Sequence, residues 1–391
     1  MLLVIKIISS FIFISLTINV AYFLFFSLAG KLGKIKITNM PVTFKKIIVL
    51  IPAYKEDIVI LHTAQDALNQ NYPKDKFDVM VIADSLKPET IEKLKQIPVF
   101  VHEVTWDRST KIKSLNSAIN SISGYDTVVI LDSDNLMSHD FLAKMNRELQ
   151  KGFLVVQGHR IAKNEDTNMA FLDAMSEEIN NHLFRKGHYI AGFSSALIGS
   201  AMAFDFDFFK RMIISIDSVG EDKVLELLIL KEKVKIVYAE DALVYDEKVQ
   251  NIEVFGNQRK RWLSSQLSIF KEFFFPSFIE LFKNGNIDYF NKAFQSALIP
   301  RVLLLGFLFV MTMLGFLLPL FPSGYLWAAL FAIYTITLMV AVPSRFYNKK
   351  LLLAILQIPR VFLKMFMLLF KLKGADKTFI NTPHTTTVKK D

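Results

Sequence analysis

The 391-residue chain has no cysteine. That excludes disulfides, a thiolate metal site and a thiol nucleophile. Charge is missing from two long stretches, between Lys6 and Lys31 and again over 302–344. Internal repeats, low-complexity linkers and any recognisable nucleic-acid module are absent too. The net charge of +9 must therefore meet an anionic membrane surface or a phosphate-bearing substrate rather than nucleic acid. Many lysines lie beside apolar runs, which favours the membrane. What the chain does have is 52% hydrophobic residues, 36 of them Phe, beside 21% charged residues. Membrane segments and a sizeable water-facing domain are both implied.

The uncharged run after Lys6 is long enough to span a bilayer at about 1.5 Å per residue. Ser27-Leu28-Ala29 resembles a signal-peptide cleavage site, but the apolar run is too long for a signal-peptide core and only Lys6 precedes it. It reads as an uncleaved anchor. Lys31, Lys34, Lys36, Lys45 and Lys46 follow, which puts its C-terminal side in the cytoplasm. In the second uncharged stretch, Phe321-Pro322-Ser323-Gly324 separates two halves of spanning length. That is a transmembrane hairpin returning to Arg345, Lys349 and Lys350 on the inside. Residues 351–370 carry Gln357, Arg360 and Lys364 on one helical stripe, with Lys371 beyond. They read as an amphipathic helix on the cytoplasmic face, or a third C-terminal membrane helix.

From Ile47 the pattern alternates between strand and helix. Short buried strands are predicted at 47–51, 79–83, 99–103, 127–131 and 154–157, with helices at 57–69 and 88–96 among those between them. This is a doubly wound α/β domain with a largely parallel sheet. Val128-Val129-Ile130-Leu131 runs straight into Asp132-Ser133-Asp134-Asn135. Two carboxylates one residue apart at the carboxyl edge of a buried strand repel each other unless a cation intervenes, and a hard divalent ion suits them. Asp84 ends another strand on the same edge, where a cap is the plainer role. Residues 167–186 read as a polar helix whose Asp173, Glu177, Glu178, Asn180 and His182 form a solvated face. Gly192-Phe193-Ser194-Ser195 and the small residues from Gly199 allow close backbone approach. Gly220-Glu221-Asp222 opens an apolar helix, where acidic residues also suit the dipole. A strand at 235–239 follows. A helix from about Val249 then carries Gln258-Arg259-Lys260-Arg261-Trp262, whose adjacent cations serve a membrane surface or hold phosphates. Residues 270–294 are too polar to span and read as interfacial helices.

Six motifs stand in order: Ile51-Pro52-Ala53-Tyr54-Lys55-Glu56, Ala83-Asp84-Ser85, Lys111-Ile112-Lys113-Ser114-Leu115-Asn116, Asp132-Ser133-Asp134, Gly220-Glu221-Asp222 and Gln258-Arg259-Lys260-Arg261-Trp262. Together they resemble the membrane-bound family 2 glycosyltransferases, the group of cellulose, chitin and hyaluronan synthases. Asn381-Thr382-Pro383-His384 resembles a tail motif of some relatives. The resemblance implies a GT-A (Rossmann-like) cytoplasmic domain and inverting transfer from a UDP-sugar. It implies Mg²⁺ or Mn²⁺ on Asp132 and Asp134, and nucleotide contacts from Asp84, Lys111 and Asp132. Gln258, Arg259 and Arg261 would bind substrate, Trp262 would stack an acceptor sugar, and Asp222 would be the catalytic base.

The sequence departs from the family pattern at Gly220, where Thr is usual, and at Lys113 and Ser114. Its spans are fewer than in the polymer-extruding members.

The expected organisation is an anchor (residues 1–30), a GT-A domain (45–250), the Gln-x-x-Arg-Trp and interfacial helices (251–295), a transmembrane hairpin (296–345), the amphipathic helix (346–372) and a cytoplasmic tail (373–391). The expected location is the cell (inner) membrane. The expected partners are a nucleotide sugar, a saccharide or lipid-linked acceptor and the bilayer, with homo-oligomerisation as one route to a complete channel. Three readings stay open: synthesis of a cell-surface poly- or oligosaccharide, addition of a single sugar to a polyprenyl phosphate or glycolipid, and a non-catalytic protein with a degenerate nucleotide-binding domain.

Overall fold

Val128 to Leu131 are fully buried, as a strand packed on both faces must be. In the computed structural model, which describes residues 2–37, 43–214, 216 and 221–372, that strand lies inside an eight-stranded sheet. Gly220 and the tail at 373–391, with its Asn381-Thr382-Pro383-His384 motif, lie outside the described residues. The strands are β1 (Ile47–Tyr54), β2 (Phe77–Asp84), β3 (Phe100–Val104), β4 (Thr127–Ile130), β5 (Leu136–Met137), β6 (Val155–Ala162), β7 (Met202–Asp205) and β8 (Ile236–Asp246). Their order across the sheet is β3-β2-β1-β4-β7-β6-β8-β5.

The β3-β2-β1-β4 half is parallel, as the alternating pattern predicts. The other half corrects that reading. β7 runs antiparallel between β4 and β6, and β5 antiparallel on β8, so the sheet is mixed.

Period-two alternation divides the core. Ile48, Leu50, Val128 and Ile130 face α4 (Lys111–Asn120), α8 (Phe206–Ile213) and α9 (Glu221–Lys231). Ile47, Val49, Ile51 and Val129 face α2 (Ile60–Ala67), α3 (Pro88–Lys95) and α5 (Phe141–Leu149). Each large side chain so buried contributes about 1.5–3 kcal/mol, and together they fix the strand register that aims the sheet edge.

The apolar helices are α1 (Leu2–Leu32), α12 (Arg301–Leu317) and α13 (Gly324–Ala341), then α14 (Lys349–Ile355) and α15 (Ile358–Leu369). Among the described residues, three segments are long and apolar enough to cross a membrane: Leu3–Leu32, Gly324–Ala341 and Lys349–Leu369. The last of these breaks at Leu356-Gln357. Its longer piece packs across α12, where the Phe362 ring fills the space over Gly306. α10 (Ile252–Asn284) is one 33-residue helix that continues through Pro276. It joins the Gln-x-x-Arg-Trp motif to the first interfacial stretch without a break, and α11 (Ile287–Gln295) follows.

α6 (Asn168–Asn180) corrects a second expectation. Its Asp173, Glu177 and Glu178 are buried, not solvated. Beyond it the chain makes a π-helical stretch, Asn181–Gly187, and a short α7 (His188–Ile190). His182 bonds the Ser27 carbonyl at 2.9 Å while Glu178 bonds His159 at 3.1 Å. The two side chains point to different partners.

This stretch docks the sheet domain on α1. His188 is fully buried, stacked on Phe26 at 3.6 Å, and its Nδ1 donates to the Leu183 carbonyl at 2.7 Å. Its Nε2 lies 2.9 Å from the Tyr22 hydroxyl. Burial pushes the imidazole down from 6.5 to about 3. The unfolded chain takes up this proton near 6.5 and the folded chain only near 3, so stability declines as pH falls through that window. The melting temperature in detergent is expected to drop on acidification from pH 6.5, with a shallower slope in His188→Gln. An equal slope in the variant would remove His188 as the cause.

Candidate active site

The parallel half of the sheet ends in a row of polar groups. β2 closes on Asp84, paired in register with Tyr54 of β1 and Val104 of β3. Lys55 and Ser85 follow their strands with positive φ, a turn that sends each chain away from the edge. Asp84 is buried, and its Oδ1 accepts from Ser85 Oγ at 3.0 Å and Ser109 Oγ at 3.1 Å. Thr110 caps α4, so Lys111 leaves the first turn aimed at the same edge. Its Nζ donates to Asp132 Oδ1 and, at 2.7 Å, to the Gly199 carbonyl.

The two aspartates beyond β4 are held differently. The Asp132 side chain is 32% exposed, with Arg160 Nη1 at 3.9 Å from its other oxygen. Asp134 is buried and accepts from Asn135 Nδ2 at 3.1 Å and from the Glu247 amide at 3.2 Å. The ammonium of the buried Lys163 donates to its carbonyl at 2.9 Å.

Behind them lies a buried charge network that the sequence does not advertise. Arg160 reaches Glu177 at 3.1 Å and Asp246 at 3.7 Å. Lys248 pairs with Asp246 at 2.6 Å, and Arg185 stands 3.5 Å from Glu177. Burial alone would raise the Glu177 and Asp246 carboxyls. The surrounding Arg160 and Lys248 overcome it and hold both below the usual carboxylate range. On the far side of α6, Glu178 bonds Arg345 at 3.0 Å, which fastens the end of the helical hairpin to the catalytic domain.

Asp222 opens α9 on the opposite wall. A Cβ built on Gly199 would lie 3.7 Å from Asp222 Oδ2, so this carboxyl sits on the same residue whose carbonyl holds Lys111. One turn on, the buried Glu226 accepts from the Leu197 amide at 3.1 Å and pairs with Lys292 of α11 at 2.7 Å. Burial pushes the neighbouring Lys223 amine down; Asp222 opposes this, while Lys292 and Arg259 add to it.

α10 brings its motif to this wall with one change of role. Arg259, expected on phosphates, instead pairs with the buried Asp173 at 2.7 Å. Its guanidinium lies 4.1 Å from the Trp262 ring centre and 4.5 Å from that of Phe255. Residues 255, 259 and 262 share one helix face at 100° per residue, which makes this stack a local consequence of spacing. Arg261 falls 200° from Arg259 around the helix and is half-buried. The Gln258 side-chain oxygen is buried with no hydrogen-bond partner. Asp84, Lys111, Asp132, Asp134 and Asp222 are thus brought together, while Arg259 is diverted. Sequence reasoning gives no part in the site to Asn135, Arg160, Lys163, Glu177, Ser200, Asp246 or Lys248. Only Asp246, an acidic residue closing a strand, carried a visible signal.

A family model described as Glycosyltransferase like family 2 matches residues 45–265. Probable glycosyltransferase YdaM of Bacillus subtilis (strain 168) is 31% identical over 96 residues, which span 23% of this chain and 23% of that relative's length. Among solved structures, the mannosyltransferase PcManGT from Pyrobaculum calidifontis, in complex with GDP-Man and Mn²⁺, superposes with a TM-score of 0.51 at 16% identity. It covers 87% of this chain and 98% of that one. Glucosyl-3-phosphoglycerate synthase from Mycobacterium tuberculosis, in complex with Mn²⁺, UDP and glucosyl-3-phosphoglycerate, gives 0.40 at 16% identity over 60% of this chain and 86% of its own.

Proposed function

The chain belongs to the glycosyltransferase like family 2, and on that premise we propose that it transfers a sugar, with inversion, from a UDP-sugar to a growing saccharide at the cytoplasmic face of a membrane. The domain is GT-A-like, a mixed sheet with apolar helices at its N-terminal end and in its C-terminal region. One observation carries the reading. Asp222 packs on Gly199, whose carbonyl anchors the Lys111 that pairs with Asp132. A base and a diphosphate-binding edge are therefore separated by little more than one residue.

Asp132 and Asp134 would hold the divalent cation. No group of three or more His, Cys, Asp or Glu able to hold a metal occurs among the described residues, but a Mg²⁺-like ion needs only one or two carboxylates when phosphates and water complete its shell. The Asp132 side chain, 32% exposed and balanced by the Lys111 ammonium rather than locked away, fits that requirement, since an arriving ion can take over the charge that Lys111 now offsets. When bound, such an ion would neutralise charge growing on the leaving diphosphate.

The chain's own groups do the rest. Asp84 and Lys111 orient the nucleotide, and the Lys111 ammonium offsets phosphate charge. Arg261, on the side of α10 away from the Arg259 ion pair, supplies a further cation. Asp222 takes the proton from the acceptor hydroxyl. That oxygen then attacks the anomeric carbon from the face opposite the nucleotide, and the breaking bond's electrons leave with UDP. Trp262 supports the acceptor with its ring.

The membrane-side placement rests on Lys31 in the last turn of α1 and on Arg345 pairing with Glu178. Both basic flanks thus lie where the positive-inside rule puts the cytoplasm.

A second reading, one sugar added to a polyprenyl phosphate or glycolipid, draws on the helix packing. Phe23, Trp327 and Tyr334 are buried in one apolar cluster between α1 and the hairpin, so these helices pack against each other through large side chains. Incubating the full chain in membranes with a panel of labelled UDP-sugars and sizing the products separates the two. A ladder is expected, a single added sugar would favour the second reading, and no transfer or donor hydrolysis with either Mg²⁺ or Mn²⁺ would overturn both.

A further inference from the structure

The loop before β7 reaches the Asp132 backbone directly and Asp134 and Asp246 through Asn135. Ser200 is fully buried, and its hydroxyl accepts from the Asp132 amide at 2.9 Å and donates to Asn135 Oδ1 at 2.5 Å. Asn135, also fully buried, uses its amide nitrogen on Asp134 Oδ1 at 3.1 Å and on Asp246 Oδ1 at 3.0 Å. The amide orientation is fixed by charge, since a flipped Asn135 would set its oxygen against two carboxylates. The chain of donors therefore has one direction: Asp132 amide to Ser200, Ser200 to Asn135, Asn135 to Asp134 and Asp246.

The loop itself is held rigidly. Gly199 and Ala201 flank Ser200 with φ of +82° and +53°. The buried Gln157 donates to the Ser200 and Ala201 carbonyls at 3.0 and 3.1 Å and accepts from the Ile198 amide at 3.1 Å. Asp246, on the other side of Asn135, is already neutralised by Lys248 and Arg160. The amide hydrogen aimed at Asp134 Oδ1, with the Glu247 amide on Oδ2, thus sets the angle of that carboxylate.

We propose that Ser200 and Asn135 are positioning residues that fix the Asp132 backbone and the Asp134 carboxylate in the geometry the divalent cation requires. The proposal rests on the metal-dependent sugar transfer argued above. Groups that orient a metal-binding carboxylate typically change metal affinity about 10- to 100-fold when removed. A purely structural pair would change folding and leave affinity alone.

The test uses the full chain in detergent, with Mn²⁺ as the metal and UDP as the nucleotide, following the free Mn²⁺ signal by electron paramagnetic resonance. Ser200→Ala and Asn135→Ala are each expected to weaken Mn²⁺ binding about tenfold or more, with metal-free UDP binding unchanged. Ser200→Thr, which keeps the hydroxyl, is expected to restore most of the affinity. Alanine variants that bind Mn²⁺ like the parent, or that lose metal-free UDP binding in equal measure, overturn the positioning role while the proposed function stands. A parent chain that binds UDP but no Mn²⁺ overturns the metal-dependent reading and this role with it.

Discussion

Asp222→Asn is expected to abolish sugar transfer while leaving UDP-sugar binding nearly intact. The substitution keeps the shape of the side chain, and the contact with Gly199 survives it. What is lost is a group able to accept the acceptor's proton, a contribution of about 10²–10⁴ in rate, or roughly 3–5 kcal/mol of barrier at 1.36 kcal/mol per decade.

The structural cost is smaller. Asp222 opens α9, and a carboxylate at a helix start is worth about 0.3–1 kcal/mol. Rate and stability therefore separate, and initial-rate kinetics beside equilibrium UDP titration will show it. Equal loss of nucleotide binding would give Asp222 a nucleotide-binding or structural role and take away the base.

Glu177→Ala is expected to produce the largest loss of stability outside the hydrophobic core. Its carboxylate is buried within 3.8 Å of Arg160, Arg185 and Lys248. Removing it leaves Arg160 and Lys248 sharing Asp246 and takes the Glu177 charge from Arg185, and a broken buried pair costs about 3–5 kcal/mol. Against a typical total of about 5–15 kcal/mol, that is a large fraction. Arg160 would also lose the partner that steadies it behind Asp132, so donor affinity is expected to fall too.

The sign of the acid response follows from the same network. Glu177 titrates below its ordinary 4.5 in the folded chain, so its stabilisation is present above that value and is lost as pH falls beneath it. Chemical denaturation of the parent and the variant measures the difference. A cost within about 0.5 kcal/mol, as for a solvated surface position, would mean the network does not hold α6 in place.

The contrast with the solvated face expected for α6 shows where sequence reasoning stops. Asp173, Glu177 and Glu178 have helical spacing and charge, which ordinarily mean exposure. Their partners are Arg259, Arg160 and His159. They come from β6 and α10, and no local pattern announces them. β7 is hidden for a different reason: Met202–Asp205 is only four residues long and directly follows the small residues Gly199-Ser200-Ala201, so it does not stand out from that loop. Arg259 lay in a well-marked motif, yet its neighbour decided its role. Once α10 packs on α6, the nearest opposite charge is Asp173.

By itself the sequence determined the apolar runs that must cross or leave water, and the strands whose ends carry Asp84, Asp132 and Asp134. It also marked the helix that Asp222 opens. These follow from periodicity and burial, which act over a few neighbouring residues. Only the tertiary structure decided that Asp222 and Lys111 meet at Gly199, that Ser200 and Asn135 lock the aspartate pair, and that the acidic face of α6 turns inward. Such pairings depend on which distant charges share one low-dielectric space, and folding sets that by packing the sheet edge against the helices around it.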